Sequence, residues 1–286
     1  MRILITGAGG PAGVALIKQL APLGHVVHGV DMQAVDNPGL SFFDTVPAAS
    51  DPAMVQQLKR HIIQHNIDVL IPTVADELPT IAHAREQLAP ATVVIGSAPA
   101  VDIAFDKYLT MQHLSAAGVF VPRFALPSEF DTASAALNAF GGQLVLKPRV
   151  GRGGRGFRVV TSTDDVDWST LDDALIIQEF APGTEYAPMV FTSSRTDQTT
   201  VVVVEKTANK PGVTERVASE SVPDVAALAA DTARAMGLTG PVDIDVRINA
   251  AGQPVVLEVN ARFGANSEQA PELLAGVLQD MSELVP

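Results

Sequence analysis

The sequence predicts an α/β unit built on a doubly wound parallel sheet, followed by an α+β unit. Three observations carry this. Apolar strands alternate with amphipathic helical stretches over residues 1–95; from residue 97 the pattern changes to two helices and then successive strands; and 286 residues with 47% hydrophobic composition can bury a substantial interior. Beyond about 250 residues a single core tends to divide, so two units are expected, 1–96 and 97–286.

In the first unit, strands over 3–6, 25–30, 68–72 and 92–95 alternate with helices over 11–20, 52–65 and 77–88. That alternation is the mark of a doubly wound sheet. The opening MRILITGAGGPAGVALIKQL reads as strand, glycine turn and helix, and Asp31 closes the next strand, HVVHGVD. Alone, this suggests a Rossmann-type dinucleotide unit with Asp31 on a ribose. A short-chain reductase needs a tyrosine with a lysine four residues on, but the two tyrosines, Tyr108 and Tyr186, are followed at that distance by Gln112 and Val190. NAD(P) binding is therefore the lesser reading, and the glycine turn is taken as a strand–helix connection.

The second unit begins with helices over 107–117 and 133–140. LVLKPRVGRGGRGFRVV then gives a strand ending in Lys147, a loop with Gly151, Gly153, Gly154 and Gly156, and a second strand. Glycines let backbone N–H groups approach anionic oxygens, and Lys147 adds a point charge. The spacing differs from that of a P-loop, so residues 147–158 are read as a flap over phosphates. Arg149, Arg152, Arg155 and Arg158 would also suit nucleic acid. Against that, 19 Lys+Arg face 32 Asp+Glu, and a net charge of −13 repels a phosphodiester backbone.

Next, LIIQEFAPGTEY runs as a strand into Gln178, Glu179, Phe180 and Ala181, then a Pro-Gly kink and Glu185. Such an exposed backbone edge can hydrogen-bond the rim of an adenine ring, and a carboxylate a few residues on can accept from ribose hydroxyls. A helix over 225–236 precedes a hairpin, 242–262, in which VDIDVR and VVLEVNAR flank the turn Asn249-Ala250-Ala251-Gly252. Gly252 permits the turn. The period of two then sets Asp243, Asp245, Glu258 and Asn260 on one face, and a slip of one residue would break the group. These are hard oxygen ligands, and magnesium is usually held by one or two carboxylates together with nucleotide phosphates.

In this order the motifs resemble the ATP-grasp superfamily, and in detail its carbamoyl-phosphate-synthase-like branch of carboxylate–amine ligases, over roughly residues 97–264. The resemblance implies a Rossmann-like pre-ATP-grasp domain followed by an ATP-grasp domain, with ATP and Mg2+ (or Mn2+) as cofactors. Lys107, after Asp106 at a helix start, is similar to the family's first nucleotide-binding lysine; Lys147, with Gly153 and Gly154, to its second lysine and flap. Gln178, Glu179, Phe180 and Ala181 resemble the adenine hinge, and Glu185 stands at the ribose-binding position. Asp245, Glu258 and Asn260 match the metal ligands, with Asp243 left open as a further one, and Arg262 matches an arginine on the transferred phosphate.

The implied reaction is phosphoryl transfer to a small-molecule carboxylate, attack of an amine on the acylphosphate, and release of ADP and phosphate, with Arg262 and Lys147 as the catalytic groups. Three other readings stay open: a carbamoyl-phosphate-type enzyme that phosphorylates bicarbonate, a noncatalytic ATP-binding protein, and the reductase. Many relatives continue into a further domain after the hairpin, which leaves acceptor recognition open.

The chain has no cysteine, so thiol catalysis, thiolate-bound zinc and disulfides are excluded. That is compatible with a cytoplasmic protein. The N-terminus lacks a signal-peptide pattern, and no segment is long enough to span a bilayer. Neither nucleic acid nor membrane is expected as a partner, and homo-oligomerisation is left open. His61 and His65 share a helix face without the intervening glutamate of a zinc protease, so they are expected as a solvated pair.

Overall fold

A computed structural model describes residues 1–151, 153–206 and 214–282. Arg152 of the basic loop lies outside them. The first unit runs β1 (Arg2–Thr6), α1 (Pro11–Leu20), β2 (Val26–Asp31), β3 (Phe42–Thr45), α2 (Met54–His65), β4 (Val69–Ile71), α3 (Leu78–His83) and β5 (Thr92–Val93). Its strands lie in the order β3-β2-β1-β4-β5, every pairing parallel. α1 starts with Pro11, whose missing N–H is one that a helix start leaves unpaired in any case. Gly9 N–H donates to Asp31 Oδ2 at 3.0 Å, so Asp31 fastens the glycine turn to the end of β2.

Two local readings change. β3 is an additional strand, a short edge whose residues are mostly exposed, so it lacks the apolar alternation that announces a half-buried strand. The helix expected over 77–88 divides into α3 and a 3-10 turn, Arg85–Leu88, around Ala84. Glu77, just before α3, is buried, and its Oε1 accepts from the N–H groups of Thr73 at 3.1 Å and Val74 at 3.0 Å and from the Thr6 hydroxyl.

The remainder runs α4 (Ala98–Phe105), α5 (Lys107–Ala116), β6 (Phe124–Ala125), α6 (Ala133–Ala139), β7 (Leu144–Pro148), β8 (Arg158–Val160) and β9 (Leu175–Glu179). It continues as β10 (Glu185–Tyr186), β11 (Met189–Thr192), β12 (Thr199–Lys206), β13 (Thr214–Val217), α7 (Pro223–Ala235), β14 (Gly240–Ile248), β15 (Pro254–Asn260) and α8 (Pro271–Ser282). Helices α4 and α8 are additions to the sequence reading. The strands form two antiparallel sheets, a four-stranded β6-β9-β7-β8 and a six-stranded β10-β12-β11-β14-β15 with β13 against β12.

The four-stranded sheet has its own small core, where Leu144, Leu146 and Ile177 pack with Ala136 and Phe140 of the α6 region. The six-stranded sheet instead shares its core with the first unit. Val242, Val246 and Ala229 lie in one cluster with Leu4 and Leu70, and Met189 and Phe263 in another with Ile3 and Ile5. The proposed division at residue 96 falls between β5 and α4, yet apolar packing crosses it.

The histidine expectation is corrected. His61 is 6% exposed, not solvated, because it continues the buried stripe Met54, Leu58, Ile62 of α2 and meets His28 of β2, 3% exposed. Burial first, then the nearby His65, His61 and Arg2, push the His28 pKa down to about 4. Among the described residues no helix is long and apolar enough to cross a membrane.

Candidate active site

Helix α5 sets the first lysine. The Asp106 carboxylate caps it, accepting from Tyr108 N–H at 2.9 Å and Leu109 N–H at 3.3 Å. Arg149 of the flap base pairs with the same carboxylate at 2.6 Å and lies 5.1 Å from the centre of the Tyr108 ring. Burial pushes the Asp106 pKa up, but the Arg149 guanidinium and the capping N–H groups outweigh it and hold the carboxyl below its usual range. Arg149 is thus committed to Asp106. Lys107 follows, 6% exposed. Its N–H donates to Arg149 O at 3.0 Å, its Nζ donates to Gly151 O at 2.9 Å, and Nζ stands 3.2 Å from Glu258 Oε1.

Lys147 comes from β7 and is 9% exposed. Its Nζ donates to Leu257 O at 3.1 Å. That carbonyl is on offer because β14 and β15 shift register here: Asp245 pairs with Glu258, the next β14 residue Val246 pairs with Val256, and Leu257 is the extra residue of a bulge. Burial drives the Lys147 pKa down to about 8; Lys107 adds to the fall and Glu258 opposes it.

The same hairpin pairs Asp243 with Asn260. All four predicted oxygen-bearing residues therefore share a face, but they divide into two environments. Asp245 and Glu258 line a cleft with Lys107, Lys147, Gly154, Arg155, Phe157, Glu185, Lys206 and Arg247. Asn260 sits beside Glu258 in a small adjoining cavity that also reaches Gly151. Asp243 is buried and accepts from Arg262 Nη1 at 2.9 Å. A Cβ at residue 264 would come within 2.4 Å of its carboxyl carbon, so Gly264 is what lets the chain pass. Arg262 also donates to Phe263 O at 3.0 Å, and neither it nor Asp243 is among the residues lining the cleft.

Lys206 and Arg247 are functional candidates that sequence reasoning missed. Glu185 on β10 is the register partner of Lys206 on one side and Arg247 on the other. Lys206 Nζ lies 2.7 Å from Glu185 and 2.6 Å from Asp245; Arg247 Nε lies 3.5 Å from Glu185. Burial opposes the Lys206 charge, but Asp245 and Glu185 more than offset it and raise its pKa above the ordinary lysine range. The signal was a Glu-Lys pair closing a Thr/Val strand, which only the three-strand register connects to Asp245. Burial also raises the Glu258 pKa, restrained by Lys107 and Lys147.

The flap is the β7–β8 hairpin, paired Leu144 to Val160 and Leu146 to Arg158. Gly153, Gly154 and Gly156 have φ of 62°, 68° and 73°, the left-handed region that favours glycine. At the end of β9, Gln178 is 2% exposed and its Nε2 has no hydrogen-bond partner. The Glu179 carboxylate pairs with Arg123 at 3.1 Å and its N–H donates to Arg123 O at 2.8 Å. Ala181 is buried, and the Phe180 ring centre lies 5.8 Å from the Arg247 guanidinium. None of these four lines the cleft itself.

Chemically, the cleft is a cationic pocket in an acidic chain. Five basic and three acidic side chains line it, an excess of two positive charges among the described residues, against −13 for the whole sequence. Two buried lysines and opposed carboxylates suit a phosphorylated ligand with a divalent cation, and the orphaned Gln178 amide, outside the cleft lining, is left with a donor to give. A separate depression over the first sheet is lined by Gly7, Gly9, Gly10, Asp31 and Glu77.

The ATP-grasp domain profile matches residues 104–266. No curated relative matches at a significant level. Among solved structures, an N5-carboxyaminoimidazole synthetase from Staphylococcus aureus complexed with ADP is similar over 98% of this chain and 77% of its own, with 16% identity and a TM-score of 0.74. An L-amino acid ligase from Bacillus licheniformis is similar over 94% and 69%, with 18% identity and a TM-score of 0.70. A D-alanine–D-alanine ligase from Bacillus anthracis is similar over 99% and 98%, with 16% identity and a TM-score of 0.68. At such identities these likenesses speak to the fold. The profile covers more than half of the chain, and with a parallel-sheet unit leading into two antiparallel sheets that enclose the lysine–carboxylate cleft, the protein belongs to the ATP-grasp domain family.

Proposed function

We propose that the protein is an ATP-dependent carboxylate–amine ligase working through an acylphosphate. The observation that carries this is the convergence of Lys107, Lys147, Asp245 and Glu258 on one cleft beneath a glycine flap. In the reaction, a carboxylate oxygen attacks the γ-phosphorus of ATP and the bond to the β-phosphate oxygen breaks, leaving ADP. An amine then attacks the acyl carbon, phosphate departs, and the nitrogen gives up a proton as the amide forms.

Catalysis of this kind is mainly positioning and charge neutralisation. Lys107 and Lys147 hold phosphate oxygens, and the flap excludes water from the hydrolysable acylphosphate. Gln178 Nε2 and the backbone of Glu179, Phe180 and Ala181 form the adenine edge, with Glu185 accepting from the ribose. Asp245 and Glu258, with Asn260 beside them, would hold Mg2+ or Mn2+, which when bound neutralises phosphate charge. Arg262, aligned by Asp243, is assigned to the transferred phosphate and the oxyanion that follows.

Phosphorus NMR of mixtures with MgATP, amino acids as carboxylate and amine donors, and bicarbonate with ammonia tests the reading. ADP and phosphate rising in step with an amide product is the expected result. Pyrophosphate in step with product refutes it, carbamoyl phosphate moves the protein to the bicarbonate reaction, and MgATP binding without turnover across these donors favours a noncatalytic role.

A further inference from the structure

Outside the cleft, the first sheet carries a group of side chains that the ligase reading leaves unused. β2 alternates Val26, His28 and Val30 on one side, and the position of His28 is flanked by fully buried Leu4 and Val30 in the core that α2 covers. An imidazole stands where the pattern calls for an aliphatic side chain. On α2 the same substitution happens twice: the stripe Met54, Leu58, Ile62 acquires His61 and, one turn on, His65. Three histidines from two elements thereby meet, with ring centres 4.4 to 5.6 Å apart.

Two features separate this group from ordinary aromatic packing. His28 Nδ1 and His61 Nε2 are buried without hydrogen-bond partners, a situation that is costly for a polar group and that a Leu or Phe at either position would avoid. Moreover, one ring nitrogen of each histidine lies within 4.8 Å of the other two. An ion centred among three atoms at that spacing would stand at most about 2.8 Å from each, so sub-ångström ring movements reach the 2.0–2.1 Å of a zinc–imidazole bond.

We infer that His28, His61 and His65 form a site for one divalent transition-metal ion of the zinc type, which fastens β2 to α2. Three neutral nitrogen donors without a carboxylate select zinc, cobalt, nickel or copper over magnesium. This distinguishes the site from the hard-oxygen pair Asp245 and Glu258 in the cleft. Burial of His28 and His61 among apolar side chains favours the neutral imidazole, the form that ligates. Half-buried His65 provides the entry side, and the Phe42 ring, 4.2 Å from that of His65, covers the group. Asp44 lies close enough to His61 to favour positive charge there.

The test uses the full chain, free of any affinity tag and stripped with chelator, titrated with Zn2+ alone and with Co2+ alone. Expected are one Zn2+ per chain with Kd of about 1 μM or tighter, visible absorption bands of low-symmetry Co2+, and a Tm raised by about 5 °C or more at a hundredfold excess over Kd. His61→Leu, which extends the apolar stripe, and His65→Gln, at a half-buried position, should each weaken binding beyond the ~10–100-fold that even an outer-shell change produces. His83→Gln, at an exposed histidine paired with Asp102, should change nothing, and MgATP should not displace Zn2+. Absence of binding by the parent, parental affinity in both ligand variants, or displacement by MgATP overturns the assignment and leaves an aromatic plug.

Discussion

Lys147→Met separates what the buried lysine does for the nucleotide from what it does to the fold. Burial holds its pKa at about 8 instead of 10.5, a difference worth roughly 3 kcal/mol against the charged form. At pH 7 folded and unfolded chains both carry the proton, so the full penalty is present. Between about pH 8 and pH 10.5 the folded chain loses its proton first, the unfolded chain binds more, and stability rises with pH. Methionine keeps the stem and abolishes that dependence, but it leaves Leu257 O without its donor, which returns about 1–3 kcal/mol. The net expectation at pH 7 is a ligand-free variant at least as stable as the parent and up to roughly 2 kcal/mol more so. MgATP binding should meanwhile weaken by about 1.5–3 kcal/mol, on the order of 10–150-fold. Differential scanning calorimetry at pH 7 and pH 10 reads the first effect and titration calorimetry the second. Arg158→Met, at an exposed position of β8, serves as control and should alter neither much. A variant less stable at pH 7 that binds MgATP as tightly as the parent would refute the reasoning.

Glu258→Gln should retain weak nucleotide binding while losing turnover, since the proposed adenine and ribose contacts are untouched; near-parental activity with authentic substrates would contradict the metal assignment. Lys206→Met leaves Asp245 and Glu185 short of a partner, so the ligand-free Tm should fall and added Mn2+ should restore it by more than it shifts the parent; equal Mn2+ shifts count against this. Burial raises the Glu77 pKa to about 7 from 4.5, so the folded chain holds the extra proton and the associated stability is present at the acid end and fades as pH climbs from 4.5 through 7. Glu77→Gln preserves an acceptor for Thr73 and Val74, and chemical denaturation should show it gaining roughly 3 kcal/mol on the parent across that window; parallel pH profiles would contradict the buried-acid account.

How much was legible depends on how local each determinant is. The hairpin is local: a permissive Gly252 at φ 80° and alternation on both arms sufficed to set Asp243, Asp245, Glu258 and Asn260 on one face, whereas the pairing of Asp243 with Asn260 and of Asp245 with Glu258 depends on the register shift at Leu257, which nothing in the alternation announces. The flap hairpin and the start of α5 were legible likewise, from glycine spacing and a capping aspartate. Lys206 was not, because its approach to Asp245 depends on strands β10, β12 and β14 pairing across some forty residues. Nor was the commitment of Arg149 to Asp106, which needs the flap base to lie over α5. His28 escaped notice because a lone histidine in an apolar strand acquires partners only when α2 packs on it. Helix α4, rich in small and aliphatic residues, lacks the polar face that would have set its period apart from buried strand.

Lys107 touches two things at once, the Gly151 carbonyl at the flap base and the Glu258 carboxylate on the six-stranded sheet. A single ammonium group with three protons to distribute makes these two contacts a shared resource. A cation that occupies Glu258 therefore changes the hold on Gly151, and a flap that lifts changes the field at Glu258. Reciprocity follows from linkage alone: the factor by which metal loading favours one flap position must equal the factor by which that position tightens the metal. On the proposed metal assignment, cation loading and flap position are thermodynamically coupled through this one lysine, whatever the glycines above it contribute.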